Sequence, residues 1–308
     1  MINSLSIVGT NVLIIFILII VGFVCGKIKL ISNDGIKTLN NIMLYIVTPC
    51  VIINALSRDF DTTLLKNFLM AALGAVISHF VSFVFAMLMI RDKDESRRVV
   101  MRFAAIFSNC GFMSLPLIEA ICGSDGLFLG AAYMIVFNLF GWSFGQRSLA
   151  KGRPGYDAKM IVLNPGIISS VIGLLLFFFP IKIPYIILSP IQFMAGLNTP
   201  VPMLIIGFSL SLLDPKDYLN IKNEWKPLLI RLVLAPSITL LILYFLGIRD
   251  ILLVTTMISS SAPIAASTTM FSIRFDRDSS LASKLVAVSS LFSVVTMTII
   301  VSIAKFIA

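Results

Sequence analysis

The chain has 308 residues, of which 58% are hydrophobic and 13% charged, with a mean hydropathy of +1.01 and a net charge of +9. So apolar a composition lies outside the soluble globular range and leaves no soluble domain of useful size. The positive charge sits mostly in alternate loops, not in basic blocks interleaved with aromatics, which argues for a membrane and against nucleic acid.

Apolar stretches of about 20 residues, enough to cross a bilayer, recur along the whole chain. Hydropathy predicts ten spans, at 6–26, 36–56, 64–90, 99–122, 126–145, 161–179, 187–213, 227–246, 251–273 and 282–306. No charge precedes Lys27, so the first span lacks the basic start of a cleaved signal peptide and reads as a retained helix. The third span contains His79, the only histidine. The fourth carries Asn109, Gly111, Pro116 and Glu119. The fifth, with Asn138, Gly141 and Trp142, is open to tilting or ending early. A polar stretch with Gly152-Arg153-Pro154-Gly155 precedes the sixth. Asn198-Thr199-Pro200 lies in the seventh span, and Ser259-Ser260-Ser261 with Pro263 in the ninth. The four cysteines (Cys25, Cys50, Cys110, Cys122) sit in apolar spans without metal-ligand spacing and read as small buried hydrophobes.

Nineteen of the 24 Lys and Arg fall in odd-numbered loops, Arg231 being counted with Lys216, Lys222 and Lys226 after the seventh span; five fall in even-numbered loops and termini. The positive-inside rule then makes the odd loops cytoplasmic and puts both termini outside. Five spans per half is an odd number, so the second half enters the membrane in the opposite sense, as in an inverted repeat. Thr48-Pro49 is answered by Thr199-Pro200 at an offset of 151, and Pro116 by Pro263 at an offset of 147. The expected organisation is an N-terminal five-helix repeat (1–148), a cytoplasmic linker (149–160) and a C-terminal inverted repeat (161–308).

A proline inside a membrane helix removes a backbone hydrogen bond and exposes a carbonyl that lipid cannot satisfy. Matching breaks in two halves point to a carrier with a site at mid-membrane. Asn109 and Pro116 share one helix face two turns apart, and Gly111 lets another backbone approach. Ser260 and Ser261 surround the second break, and Asn198 adjoins Thr199-Pro200. Glu119 and His79 are candidates for proton coupling, against the blander roles of a solvated acid and a hydrogen-bonded structural histidine. Asn138 defaults to interhelical bonding.

The run Asn109-Cys110-Gly111-Phe112-Met113-Ser114-Leu115-Pro116-Leu117 resembles the fourth-helix signature of the auxin efflux carrier family, with Ser114 in place of the usual glycine. Asn164-Pro165-Gly166, Pro200-Val201-Pro202 with Ile206-Gly207-Phe208-Ser209-Leu210, and Ala262-Pro263 are similar too, so the resemblance covers essentially the whole chain. It implies an all-α multi-pass membrane protein of ten transmembrane helices in two inverted five-helix repeats, a bile-acid-symporter-like fold. The fourth and ninth helices then cross at Pro116 and Pro263, with Asn109 in the site at that crossing. It implies a secondary carrier of small organic anions, mono- or dicarboxylates such as malate, malonate or auxin-like acids, in the cell membrane. The short central linker looks like that of a bacterial-type member. The expected partners are the anion, the bilayer, protons as coupling ion and, as a candidate assembly, a homodimer.

The alternative is a sodium-coupled organic anion symporter of the bile acid type, although that family has an acidic residue beside its ninth-helix break and none lies between Ser260 and Thr269 here. An enzyme is not expected, because there is no paired-aspartate metal motif and no His-Glu-x-x-His, and without a Walker A sequence ATP-driven pumping by this chain is not expected either. No cofactor or metal is expected.

Overall fold

A computed structural model describes residues 2–151, 159, 163–179, 181–212 and 224–308, side chains 2–9, 11 and 12 aside. The expected Gly152–Gly155 joint, the start of the sixth span, the end of the seventh, and Lys216 and Lys222 lie outside the described residues. Within them, regular structure is helical: α1 (Ile2–Lys27), α2 (Asn33–Leu56), α3 (Thr62–Met89), α4 (Glu95–Ile106), α5 (residues 110–122), α6 (124–150), α7 (Pro165–Phe178), α8 (Tyr185–Ser211), α9 (Trp225–Phe245), α10 (Asp250–Ser261), α11 (Ser267–Arg274) and α12 (Ser279–Ile307). Six stretches, namely α2, α3, α5 with α6, α8, α9 and α12, are long and apolar enough to cross a membrane; α7, α10 and the Leu13–Lys27 part of α1 are shorter apolar helices. Large apolar side chains such as Leu13, Ile17, Phe80, Leu88, Phe193 and Val295 point outward, the face a bilayer solvates.

Gly123 separates α5 from α6 with φ +64° and ψ −159°, a conformation glycine alone adopts without strain. α1 packs lengthwise on α8, and α2 on α7 and α8. A Cβ on Gly22 would lie 2.4 Å from the Leu204 carbonyl oxygen, and one on Gly207 would lie 2.0 Å from that of Ile19. Small residues let the two backbones touch, the usual basis of helix association in lipid. The other group is built around α3, α6, α9, α10 and α12.

The prolines act differently from expectation. Three helices widen into a π turn that ends two residues before a proline: Met43–Val47 before Pro49, Cys110–Ser114 before Pro116 and Ile230–Leu234 before Pro236. A proline ring crowds the carbonyl four residues back and cannot bond to it, and a wider turn relieves both problems without ending the helix. Pro116 therefore does not break its span. The break lies at Phe107–Asn109, where Phe107 is extended (φ −101°, ψ 118°) and Asn109 has φ −78° and ψ 53°. In the other half, Ala262 is extended (φ −61°, ψ 151°) as the residue before Pro263, and α11 starts at Ser267.

One end of the molecule is closed by ions. Arg97 lies 3.1 Å from Glu224 and 3.5 Å from both Asp92 and Asp278, while Lys284 reaches Glu224 at 3.4 Å. Arg277 donates to the Leu149 and Lys151 carbonyls. The opposite end carries the Arg58–Asp125 pair at 2.5 Å.

Candidate functional site

The two breaks meet. Ser108 and Ile264 pair as an antiparallel bridge: the Asn109 N–H donates to the Pro263 carbonyl at 2.7 Å, and the Ala265 N–H to the Phe107 carbonyl at 3.0 Å. The Ile264 N–H donates to Ser289 Oγ on α12 at 3.1 Å. Backbone groups freed by two broken helices are thus satisfied largely by each other, as burial away from water requires. Four helix ends converge here. The C-termini of α4 and α10 lie on one face of the bridge, and the N-termini of α5 and α11 on the other.

A cleft, with about 620 Å³ of empty space counting its open mouth, lies on the N-terminal face, between α2 on one side and the crossing with α6 on the other. Its walls include Thr48, Ser108, Asn109, Asn138, Trp142 and Ser267. Five buried polar atoms among these residues have no hydrogen-bond partner: Thr48 Oγ1, Ser108 Oγ, Asn109 Nδ2, Asn138 Nδ2 and Ser267 Oγ. Unpartnered buried polar groups are few in native proteins, and each normally costs about 1–3 kcal/mol. Sixteen such atoms occur among the described residues, and five of them belong to residues lining this one cleft. Asn109 and Ala266, the residues that precede α5 and α11, also line it. First-turn N–H groups have no partner within their own helix, and helix N-termini favour anions.

The opposite face is completed by Arg231. Its guanidinium is 1% exposed and sits in the π turn of α9. Nη1 donates to the Ile106 carbonyl at 3.0 Å and to Ser82 Oγ at 3.4 Å, and Nη2 donates to the Ser260 carbonyl. Ile106 ends α4, and Ser260 belongs to the last turn of α10, so one cation holds both helix C-termini. The network continues through Ser78 Oγ, which donates to Ser260 Oγ and bonds Tyr133 Oη, both at 2.9 Å.

Of the expected site residues, Asn109 and Gly111 line the cleft. Pro263 forms the bridge through its carbonyl. Ser260 belongs to the Arg231 network, and Ser261 Oγ donates back to the Met257 carbonyl at 2.6 Å; neither lines the cleft, because their helix ends on the other face. Pro116, Glu119 and Asn198 line a second cavity of about 690 Å³ toward the Arg58–Asp125 end. The crossing at Pro116 is thereby corrected to Ser108–Asn109, two helical turns earlier. Asn198 donates through Nδ2 to the Gly111 carbonyl at 3.1 Å, a link that stands between the two cavities. His79 is buried among Phe107, Tyr133, Phe137 and Phe140; its Nδ1 bonds the Ala75 carbonyl at 2.8 Å and Nε2 has no partner. It does not line the cleft.

Sequence reasoning missed Arg231, Asn138 and Thr48. Arg231 was grouped with loop lysines, yet it follows Leu229-Ile230 inside an apolar run, the signal that it is intramembrane. Removing it leaves eighteen basic residues in the odd loops against five. Asn138 lines the cleft, with its Nδ2 unpartnered.

A family model described as "Membrane transport protein" matches residues 7–161 and 155–301. The chain belongs to that family, the auxin efflux carrier family of the fourth-span motif. An uncharacterized transporter of Methanocaldococcus jannaschii is 24% identical over 301 residues, covering 94% of this chain and 96% of the relative. Another from Methanothermobacter thermautotrophicus is 23% identical over 293 residues, covering 93% and 95%. These family members are membrane transport proteins, and their full-length coverage matches an all-helical chain with no separate soluble unit among its described residues.

Proposed function

We propose that this transporter is a secondary carrier of small organic anions, mono- or dicarboxylates, which bind in the cleft at the helix crossing. The observation that carries this reading is the convergence of five unpartnered buried polar atoms and two helix N-termini on one cleft. A carboxylate accepts from N–H and O–H donors, and a buried anion is favoured where helix N-termini meet. Aliphatic and aromatic walls from Leu44, Phe112, Phe137 and Trp142 suit a short organic body.

The transport cycle in this reading is alternating access. One cavity lies at the crossing and a second toward the Arg58–Asp125 end, with Asn198 on the second bonded to Gly111 on the first. The Gly111–Asn198 bond and the α1–α2–α7–α8 group stand where one route must close as the other opens. The architecture that fits is ten spans in two inverted repeats, 1–148 and 161–308 joined by 149–160, with both termini on the non-cytoplasmic side. Glu119, which lines the second cavity, is our candidate for proton coupling. The ninth-helix break offers hydroxyls without the carboxylate found beside it in the bile-acid symporter type, and on that ground we favour a proton gradient over sodium.

Uptake of radiolabelled malate, malonate and monocarboxylates into proteoliposomes, with pH, sodium and voltage gradients imposed separately, tests the reading. Saturable uptake of one of these acids, driven by the pH gradient, is the expected result. Transport of neutral or cationic solutes with no carboxylate uptake would overturn it.

A further inference from the structure

Arg231 is the largest fully buried side chain, and no carboxylate faces it among the described residues. The titratable groups around it are His79 on α3, Cys110 on α5 and Tyr133 on α6. An unpaired cation inside a membrane protein is costly and marks function by default. Its Nε also lacks a partner, so packing and hydrogen bonding leave the group incompletely compensated.

Helix ends carry about half an elementary charge each, positive at the N-terminus and negative at the C-terminus. At this crossing the N-terminal ends of α5 and α11 supply about one positive charge toward the cleft. The C-terminal ends of α4 and α10 supply about one negative charge on the far face. Without a counter-charge the negative ends behind the crossing would offset part of the positive field at a bound solute and weaken the cleft's preference for anions. Arg231 sits on the two negative ends and neutralises them. The crossing is then left with a net positive field directed at the cleft.

We infer that Arg231 sets the charge selectivity of the cleft: it is a positioning residue that never touches the cargo, yet confines it to anions by cancelling the helix C-termini behind the crossing. This inference rests on the anion-carrier reading above. It goes beyond that reading in naming the source of selectivity, since Asn109 and the hydroxyls lining the cleft could equally bind a neutral amide. The same role explains why a guanidinium is used, because it stays charged when buried and its planar fork reaches two carbonyls at once.

Trp142 lines the cleft and supplies the probe. In a Trp225→Phe background, quenching of its fluorescence gives the affinity of purified protein for a panel of small mono- and dicarboxylates, each paired with its neutral amide. Wild-type protein should prefer the acids, and Arg231→Met should lower the acid-to-amide ratio roughly tenfold or more, the size expected of one unit charge acting across a partly screened interior. Arg231→Lys keeps the charge on a group that titrates when buried. Its ratio should match wild type at low pH and fall as pH rises, while wild type, with the same His79, Cys110 and Tyr133, should show no such fall. That arm remains decisive where the methionine variant does not fold. An unchanged ratio in Arg231→Met, or a pH-independent ratio in Arg231→Lys, overturns the inference alone. A wild-type protein that binds amides as well as acids overturns the anion-carrier reading with it.

Discussion

The two faces of the helix crossing are built from the same backbone, yet their polar groups are satisfied to different degrees. On the C-terminal face the Ile106 and Ser260 carbonyls receive the Arg231 guanidinium, and Ser78, Ser82 and Tyr133 bond one another or the backbone around it. On the N-terminal face, Ser108, Asn109, Ser267, Asn138 and Thr48 each keep a polar atom without a partner. A membrane interior tolerates irregular backbone only where its groups are satisfied or where it lines a cavity. This molecule uses both solutions, one on each side of a two-residue bridge. Arg231 ties the two helix C-termini together, with its own Nε and Ser259 Oγ left unpartnered, and in the proposed reading a guest gains its hydrogen bonds on the other face.

The difference gives a hierarchy of effects. Arg231→Met should be the most destabilising change, since it strands the carbonyls of two helix ends in an apolar interior. At about 1–3 kcal/mol per unsatisfied group the loss should reach about 3 kcal/mol or more, read as a large fall in unfolding temperature in nanodiscs. A melting curve equal to wild type would mean that the C-terminal face is not held as described. Asn164→Ala comes next. Asn164 caps α7 by accepting from the Ile167 N–H at 3.0 Å and does not itself line the cleft, so its loss should lower stability by about 1 kcal/mol with little effect on ligand affinity. An affinity loss there would blur the contrast between structural and binding asparagines.

The smallest effect belongs to Asp61, the exposed N-cap of α3. The Leu64 and Thr63 N–H groups hold its carboxyl below the ordinary value of 3.8. A depressed folded-state value makes this a contribution present above the unfolded value and lost as pH falls through the folded one. Acid-induced loosening of α3 should therefore appear only below about pH 4, followed by hydrogen exchange in its first turn. Asp61→Asn, which can still cap, should remove that acid step and change little at neutral pH.

Much of this arrangement was legible in the sequence. Apolar stretches placed most helices within a few residues of their observed ends, though the fourth and ninth spans are each split in two, and Asn109 stood out as an amide two residues before Gly111 in an otherwise apolar span. The action of the prolines was not legible. Pro116 and Pro263 look alike in one dimension, but the first is absorbed by a π turn while the second joins a break. Which outcome follows depends on whether another chain segment pairs with the freed backbone, as Phe107–Asn109 does with Pro263–Ala265. Arg231 was hidden by its neighbours: Lys222 and Lys226 made it read as loop charge, and only the packing of α9 against α4 and α10 reveals two carbonyl ends awaiting a cation. Asn138 and Thr48 reach the cleft from helices remote in sequence, a convergence that no local pattern encodes.

The most direct test is the affinity of Asn109→Ala for a transported carboxylate, measured by calorimetry beside Asn164→Ala and wild type. Asn109 Nδ2 has no partner to lose, so the substitution should leave the unfolding temperature nearly unchanged. It should also remove a hydrogen bond to a charged guest worth about 1.5–3 kcal/mol, weakening binding roughly tenfold to hundredfold, while Asn164→Ala binds as wild type does. Unaltered affinity in a well-folded Asn109→Ala protein would contradict the placement of the anion at the crossing.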